Sequence, residues 1–251
     1  MTQYEKQVYI QLQFWQQKMQ KKPSFTDRVS RKVQNKINGI IPEKIHNAIT
    51  IAIEKMVKAV LFGAKFTTSD RLVKLASLQL REAYVKKQIN VYQKTASVEG
   101  AITGAGGILM GLADFPILIG IKIKLLFEIS ALYGYDVKDY KERLFILYIF
   151  QLSFSSQENR NKVYKLIEGW QGYSGSLPEN VGEFDWRNFQ QEYRDYIDLA
   201  KMAQLIPVIG AAVGAIANYK LIAQLGDTAM NCYRMRMISP LTILSVKDKL
   251  E

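Results

Sequence analysis

One cysteine and one histidine occur in 251 residues, and each scarcity closes off a class of protein. A lone thiol, Cys232, cannot build an internal disulfide framework. A lone imidazole, His46, excludes zinc sites that need two or three histidines and triads that need a spare base. Lying beside an apolar helical stripe, His46 reads as a surface or packed side chain rather than a ligand. The N-terminal stretch MTQYEKQVYIQLQFWQQKMQKK lacks the apolar region and small-residue cleavage site of a signal peptide, so a cytoplasmic location is expected. No Gly-Lys-Ser/Thr occurs, which removes the P-loop. Leu109 stands where the last glycine of G-x-G-x-x-G would fall after Gly104 and Gly106, and no strand pattern precedes it. A G-x-S-x-G nucleophile elbow is also missing. No metal and no cofactor is expected.

What remains is an ordinary globular composition, 48% apolar and 23% charged with a mean hydropathy of −0.08, in which the charge is unevenly spread. Residues 1–99 hold 18 Lys and Arg against 7 Asp and Glu, whereas residues 100–251 hold 16 of each. The entire net charge of +11 therefore lies in the first two-fifths. A one-sided basic field points to a polyanionic partner, although basic helices are also simply solvated.

Apolar positions recur at helical spacing throughout, which predicts an all-α domain of about nine or ten helices. Residues 1–99 form a basic helical layer and residues 100–251 a Gly-rich core. Tyr4, Val8, Leu12, Trp15 and Met19 make the first stripe, which ends before Pro23. Ser24 and Asp27 suggest a capping box for a second helix closing at Gly39, whose other face carries Arg28, Arg31, Lys32 and Lys36. With Lys21 and Lys22, these form the expected anion-facing surface. A third helix runs from Pro42 towards Gly63, and Thr68, Ser69 and Asp70 offer caps for a long fourth. Further on, helices are expected from Pro116 to Gly134, after Asp139, over 157–170, and from Pro207 to about Ile238. GYSGSLPENVG, 172–182, reads as a loop.

From 100 to 121 the chain reads GAITGAGGILMGLADFPILIGI, six glycines with Asp114 as its one charge, and a shorter analogue, IPVIGAAVGAIAN, follows at 206–218. Glycine inside a helix costs roughly 1 kcal/mol against alanine, so such density needs a compensating close approach of backbones. Gly104, Gly107, Gly111, Gly210 and Gly214 are the expected helix-packing positions, several of them spaced by four residues. The longer segment could span a bilayer by length, but a central aspartate opposes insertion. Asp-Phe-Pro reads as a helix break with Asp114 capping a new helix at Pro116; a re-entrant membrane hairpin is the alternative.

Candidates for acid–base chemistry are Asp114, Glu128, Asp136, Asp139, Glu142, Asp195, Asp198 and Asp227. Those in apolar sequence need partners such as Lys122, Lys124, Arg143 or Arg234, and structural pairing is the plainer use. The basic helices match no RRM or zinc-finger spacing, so nucleic acid is not expected. An anionic membrane surface fits a basic helix with an apolar back.

The run GGILMGLADFPILIGIKIKLLFEISALYGYD at 106–136, then ERLFILYIFQLSF, then IPVIGAAVGAIANYKLIAQLGDTAMNCYRMR at 206–236, resembles the EcsC protein family. KINGIIPEKIH in the basic third adds to the likeness. The resemblance implies a link to an Ecs-type ABC transporter and protein secretion, with transporter components as partners, and it brings no catalytic residues. On the motif positions, Asp114, Asn218 and the glycines match the family pattern. The sequence therefore predicts a non-enzymatic, peripherally membrane-associated accessory protein. The competing expectation is a hydrolase using Asp114 and Asn218.

Overall fold

A computed structural model describes residues 1–21, 43–62, 76–105, 107–185 and 211–238, with isolated residues between 187 and 197. Within these, the side chains at 43–46, 100, 102–114, 157, 158 and 211–214 are not described. The second basic helix, with Lys22, Arg28, Arg31, Lys32 and Lys36, and the glycine at 210 lie outside the described residues. Among the described residues the chain is all-α, as expected, and its only β feature is an isolated bridge between Ser155 and Ile197.

Helix α1, Gln3–Gln20, begins on a capping box in which Thr2 accepts from the Glu5 amide and the Glu5 carboxylate accepts from the Thr2 amide. It buries Val8, Leu12 and Met19, the stripe read from the sequence. Helix α2, Glu43–Phe62, buries Ile49, Ile53, Val57 and Val60. Helix α3, Leu78–Ala105, starts later than expected: Ala76 and Ser77 are not helical, and Ser77 Oγ accepts from the Leu80 amide. Ser77 thus caps α3, one residue before buried Leu78, and the expected caps Thr68, Ser69 and Asp70 lie outside the described residues.

Helix α4, Gly107–Tyr133, corrects a second expectation. It runs unbroken through Asp114 and Pro116, so Asp114 is an interior helical residue and not an N-cap. Pro116 lacks an N–H and cannot donate to the carbonyl four residues back. The helix continues because its apolar face is held on both sides of the proline, with Phe115, Leu118, Ile119 and Ile123 all buried. It ends at Gly134, whose φ of +95° favours glycine.

Asp139 caps helix α5, Tyr140–Phe154, which is buried along almost its whole length. Ser156 caps α6, Gln157–Glu168. The segment read as a loop from 172 is helical at its start: α7, Trp170–Ser176, anchors Trp170 in the core, and only then do an extended Leu177 and a 3₁₀ turn, Val181–Glu183, follow. Helix α8, Ala211–Met237, completes the bundle with Arg234 and Arg236 in its last turn.

Three long helices make the frame. Tyr92 reaches Glu128, and Tyr133 reaches Glu82, so α3 and α4 are antiparallel arms of a hairpin whose tip is the Gly-rich segment. Ile89 lies against Gly226 while Arg234 bonds Glu82, which sets α8 antiparallel to α3. The two helices come close at Gly226, where a Cβ would stand 2.5 Å from Ile89 Cδ1. This glycine was not among those singled out in the sequence.

Candidate functional site

Two carboxylates are buried at the end of the frame away from the hairpin tip. Glu82 on α3 accepts from Arg234 Nε at 2.7 Å, Tyr4 Oη at 2.6 Å and Tyr133 Oη at 3.2 Å. Burial alone would raise its pKa, but the bonds from Arg234 and Tyr4 outweigh it and hold the carboxyl below its ordinary value. Burial and the same carboxylate push the Tyr4 phenol up to about 12. Glu142 on α5 accepts from Ser130 Oγ at 2.8 Å, Tyr233 Oη at 2.7 Å and Arg236 Nη1 at 2.6 Å. The Arg236 guanidinium also lies 3.7 Å from the Tyr135 ring centroid. Both clusters are saturated and built from side chains that pair with one another, so they fasten helices together and leave no free acid or base.

Towards the glycine end the polar chemistry differs. Lys122 on α4 is fully buried, and its Nζ donates to Asn218 Oδ1 on α8 at 3.0 Å and to the Leu118 carbonyl at 3.3 Å. Both partners are neutral. Desolvation pushes the amine down to about 7 from an ordinary 10.5. Of the two expected site residues, Asn218 is therefore tied to a basic residue in the core, whereas the side chain of Asp114 lies outside the described residues. Lys122 appeared in the sequence only as a partner for a carboxylate; its actual partner is an amide, which helical periodicity does not signal. Cys232 is buried and its thiol pKa is raised, chiefly by that burial, which leaves it unreactive. Among the described residues no group of His, Cys, Asp and Glu is placed to hold a metal ion.

The outer face of α3 offers a surface rather than a cleft. Leu80, Tyr84, Val91 and Val98 are 44%, 47%, 47% and 60% exposed, and Lys87 and Lys94, also exposed, fall on the same stripe. The stripe is about 27 Å long at 1.5 Å per residue. The acidic residues of α3 are withdrawn from it, with Glu82 buried against Arg234 and Glu99 half-buried and engaged elsewhere. Lys21, at the end of α1, is exposed. Charge counting could not find this stripe, because its apolar members look like core positions in the sequence. No helix among the described residues is long and apolar enough to cross a membrane.

An all-α bundle with two saturated charge clusters, a buried lysine–asparagine pair and a basic–apolar outer stripe is the architecture that the family comparison meets. The EcsC protein family model matches residues 6–238, and the chain belongs to that family. It is 47% identical to Protein EcsC of Bacillus subtilis (strain 168), over 89% of this chain and 92% of that protein. It is 26% identical to the uncharacterised protein YdbA of the same organism, over 91% of this chain and 90% of the relative. No solved structure matches.

Proposed function

We propose that the chain is a non-enzymatic accessory protein that docks peripherally on the anionic cytoplasmic face of a membrane, where it serves an Ecs-type ABC transporter and protein secretion. The supporting observation is the outer stripe of α3, in which exposed Leu80, Tyr84, Val91 and Val98 alternate with Lys87 and Lys94 and no exposed acid intrudes. Apolar side chains enter the interfacial layer while lysines hold anionic head groups; each lysine near such a surface contributes about 1 kcal/mol. The excess of +11 in residues 1–99 gives the long-range attraction that brings the surface down. Membership in the EcsC family supplies the transporter context, and the activity read from the site is binding.

Flotation with vesicles tests this. The protein should partition onto phosphatidylglycerol vesicles, ignore phosphatidylcholine, and release as salt rises and the Debye length falls below about 10 Å. Lys87→Glu with Lys94→Glu should lower partitioning at least tenfold without changing the melting temperature. Absence of binding at low salt, or retention that only detergent reverses, would overturn the peripheral reading.

A further inference from the structure

A second apolar surface lies between α2 and α4, and it is concave. Its floor is made of buried side chains including Ala52, Val60 and Ile123, and its rim is formed by Lys55, Pro116 and Gly120. The trough encloses about 200 Å³, more than the roughly 150 Å³ apolar cavity that holds a benzene molecule. Two sequence features create it. Small residues, Ala52 and Gly120, stand where leucines would close the gap, and a Cβ built on Gly120 meets nothing within 4 Å. Pro116 keeps the α4 wall apolar and offers no N–H to the trough.

Lys55 gives the trough one charge on its rim. It is exposed, makes no ion pair or hydrogen bond with a described residue, and is the only charged side chain among the described lining residues. At Glu82 with Arg234 and at Glu142 with Arg236 the core closes by pairing its charges. Here an apolar trough opens to solvent beside an ammonium that has no partner among the described residues. That combination is complementary to a molecule with an alkyl chain and an anionic head.

We infer that the α2–α4 trough seats one acyl chain of an anionic phospholipid, with the head-group phosphate at Lys55 and the chain laid over Ala52, Val60, Gly120 and Ile123. The inference rests on the membrane reading above and deepens it: the stripe of α3 meets the bilayer surface without selecting a molecule, and the trough takes up a single lipid. A phospholipid is favoured over an apolar peptide because the lining has one cation, no acid, and no exposed row of backbone donors within its two intact helices.

Binding of monomeric dioctanoyl-phosphatidylglycerol, below the concentration at which it forms micelles, tests the trough without any bilayer. Titration calorimetry on the full chain should give one site per chain. Gly120→Leu, which fills open space and suits a helix, should weaken this binding at least tenfold with an unchanged melting temperature, and Lys55→Gln should weaken it about threefold to tenfold. Lys87→Glu with Lys94→Glu should leave it intact while abolishing vesicle flotation, so the two readings fail separately. Monomeric lipid that binds Gly120→Leu as well as the wild type, or does not bind the wild type, would overturn the trough assignment. Equal affinity for dioctanoyl-phosphatidylcholine would overturn the anionic head at Lys55.

Discussion

The two ends of the three-helix frame treat buried charge in opposite ways. At one end Glu82 and Glu142 are each surrounded by an arginine and tyrosine hydroxyls drawn from other helices, and the rings of Tyr133 and Tyr233 stack at 5.1 Å between them. At the other, Lys122 has an amide and a carbonyl for company. In the first arrangement the bonds from Arg234 and Tyr4 outweigh burial and hold the Glu82 carboxyl below its ordinary value. The second lowers the pKa of its amine to about 7, because among the described residues desolvation is met by no opposite charge. One end is therefore a clasp of fixed charge, and the other a soft site whose protonation changes near neutral pH.

The sharpest way to break the contrast is to remove one member of the clasp. Arg234→Met leaves the Glu82 carboxylate, fully buried, without its cation, and should lower unfolding free energy by about 3–5 kcal/mol in denaturant titration. Replacing Glu82 with leucine in the same chain should recover much of that loss, since an apolar pair needs no desolvated charge. The pH dependence has a defined sign. Glu82 titrates lower when folded than its ordinary 4.5, so its contribution is present above that value and is lost as pH falls through the folded pKa. Without Arg234, burial raises the Glu82 pKa and protonation relieves the unpaired charge, so the stability gap between the Arg234→Met chain and the wild type should narrow as pH falls. A variant as stable as wild type at pH 7 would show that the clasp fastens nothing.

A smaller effect with the opposite sign is expected at the soft end. Lys122→Met keeps the volume of the side chain and removes the buried amine, so it should stabilise the fold by about 1–3 kcal/mol at pH 7. For the wild type, the unfolded chain binds the extra proton between about 7 and the ordinary 10.5, so stability should rise with pH across that window, by at most about 1.4 kcal/mol per unit. The methionine chain should lack this rise. If Lys122→Met folds more stably yet fails to complement a strain lacking the protein, the lysine has a use beyond packing, and the hydrolase expectation regains ground with Lys122 and Asn218 at its centre.

Helix existence was legible in the sequence because periodic apolar residues dominate, as in α1 with Val8, Leu12 and Met19 and in α5 from its Asp139 cap. Misreadings came where local signals conflict with tertiary packing. Pro116 reads as a break, yet the buried faces on both sides of it carry α4 through. The Gly, Ser and Asn run from 172 reads as a loop, yet Trp170 pins its first turns as helix. Of the site, Asn218 was visible as a polar residue among glycines and alanines. Its bond to Lys122 was not, because the two lie 96 positions apart and no periodicity links an amide to an amine. The stripe on α3 was hidden for the converse reason, since Leu80 and Val91 are the residue types that usually mark a core face.

The smallest effect is expected midway between the two ends, where Gly226 of α8 lies against Ile89 of α3. Gly226 has no side chain, and a Cβ there would meet Ile89 Cδ1 at 2.5 Å, Cγ1 at 2.6 Å and Cγ2 at 3.1 Å. Three contacts on one β-branched side chain cannot all be relieved by moving its tip, because Cγ2 is fixed to the stiff χ1. Gly226→Ala must therefore push the helices apart or force Ile89 off its rotamer, at a cost of about 1–3 kcal/mol. Alanine returns about 1 kcal/mol of helix propensity, so the net loss should be near 1 kcal/mol. Ile89→Ala in the Gly226→Ala background separates the two terms. It removes the clash and keeps the propensity, so the double variant should be more stable than the sum of the single losses by at least about 0.5 kcal/mol. Strict additivity would mean that α3 and α8 are not held at this spacing, and that the clasp at Glu82 and Arg234 alone sets how they meet.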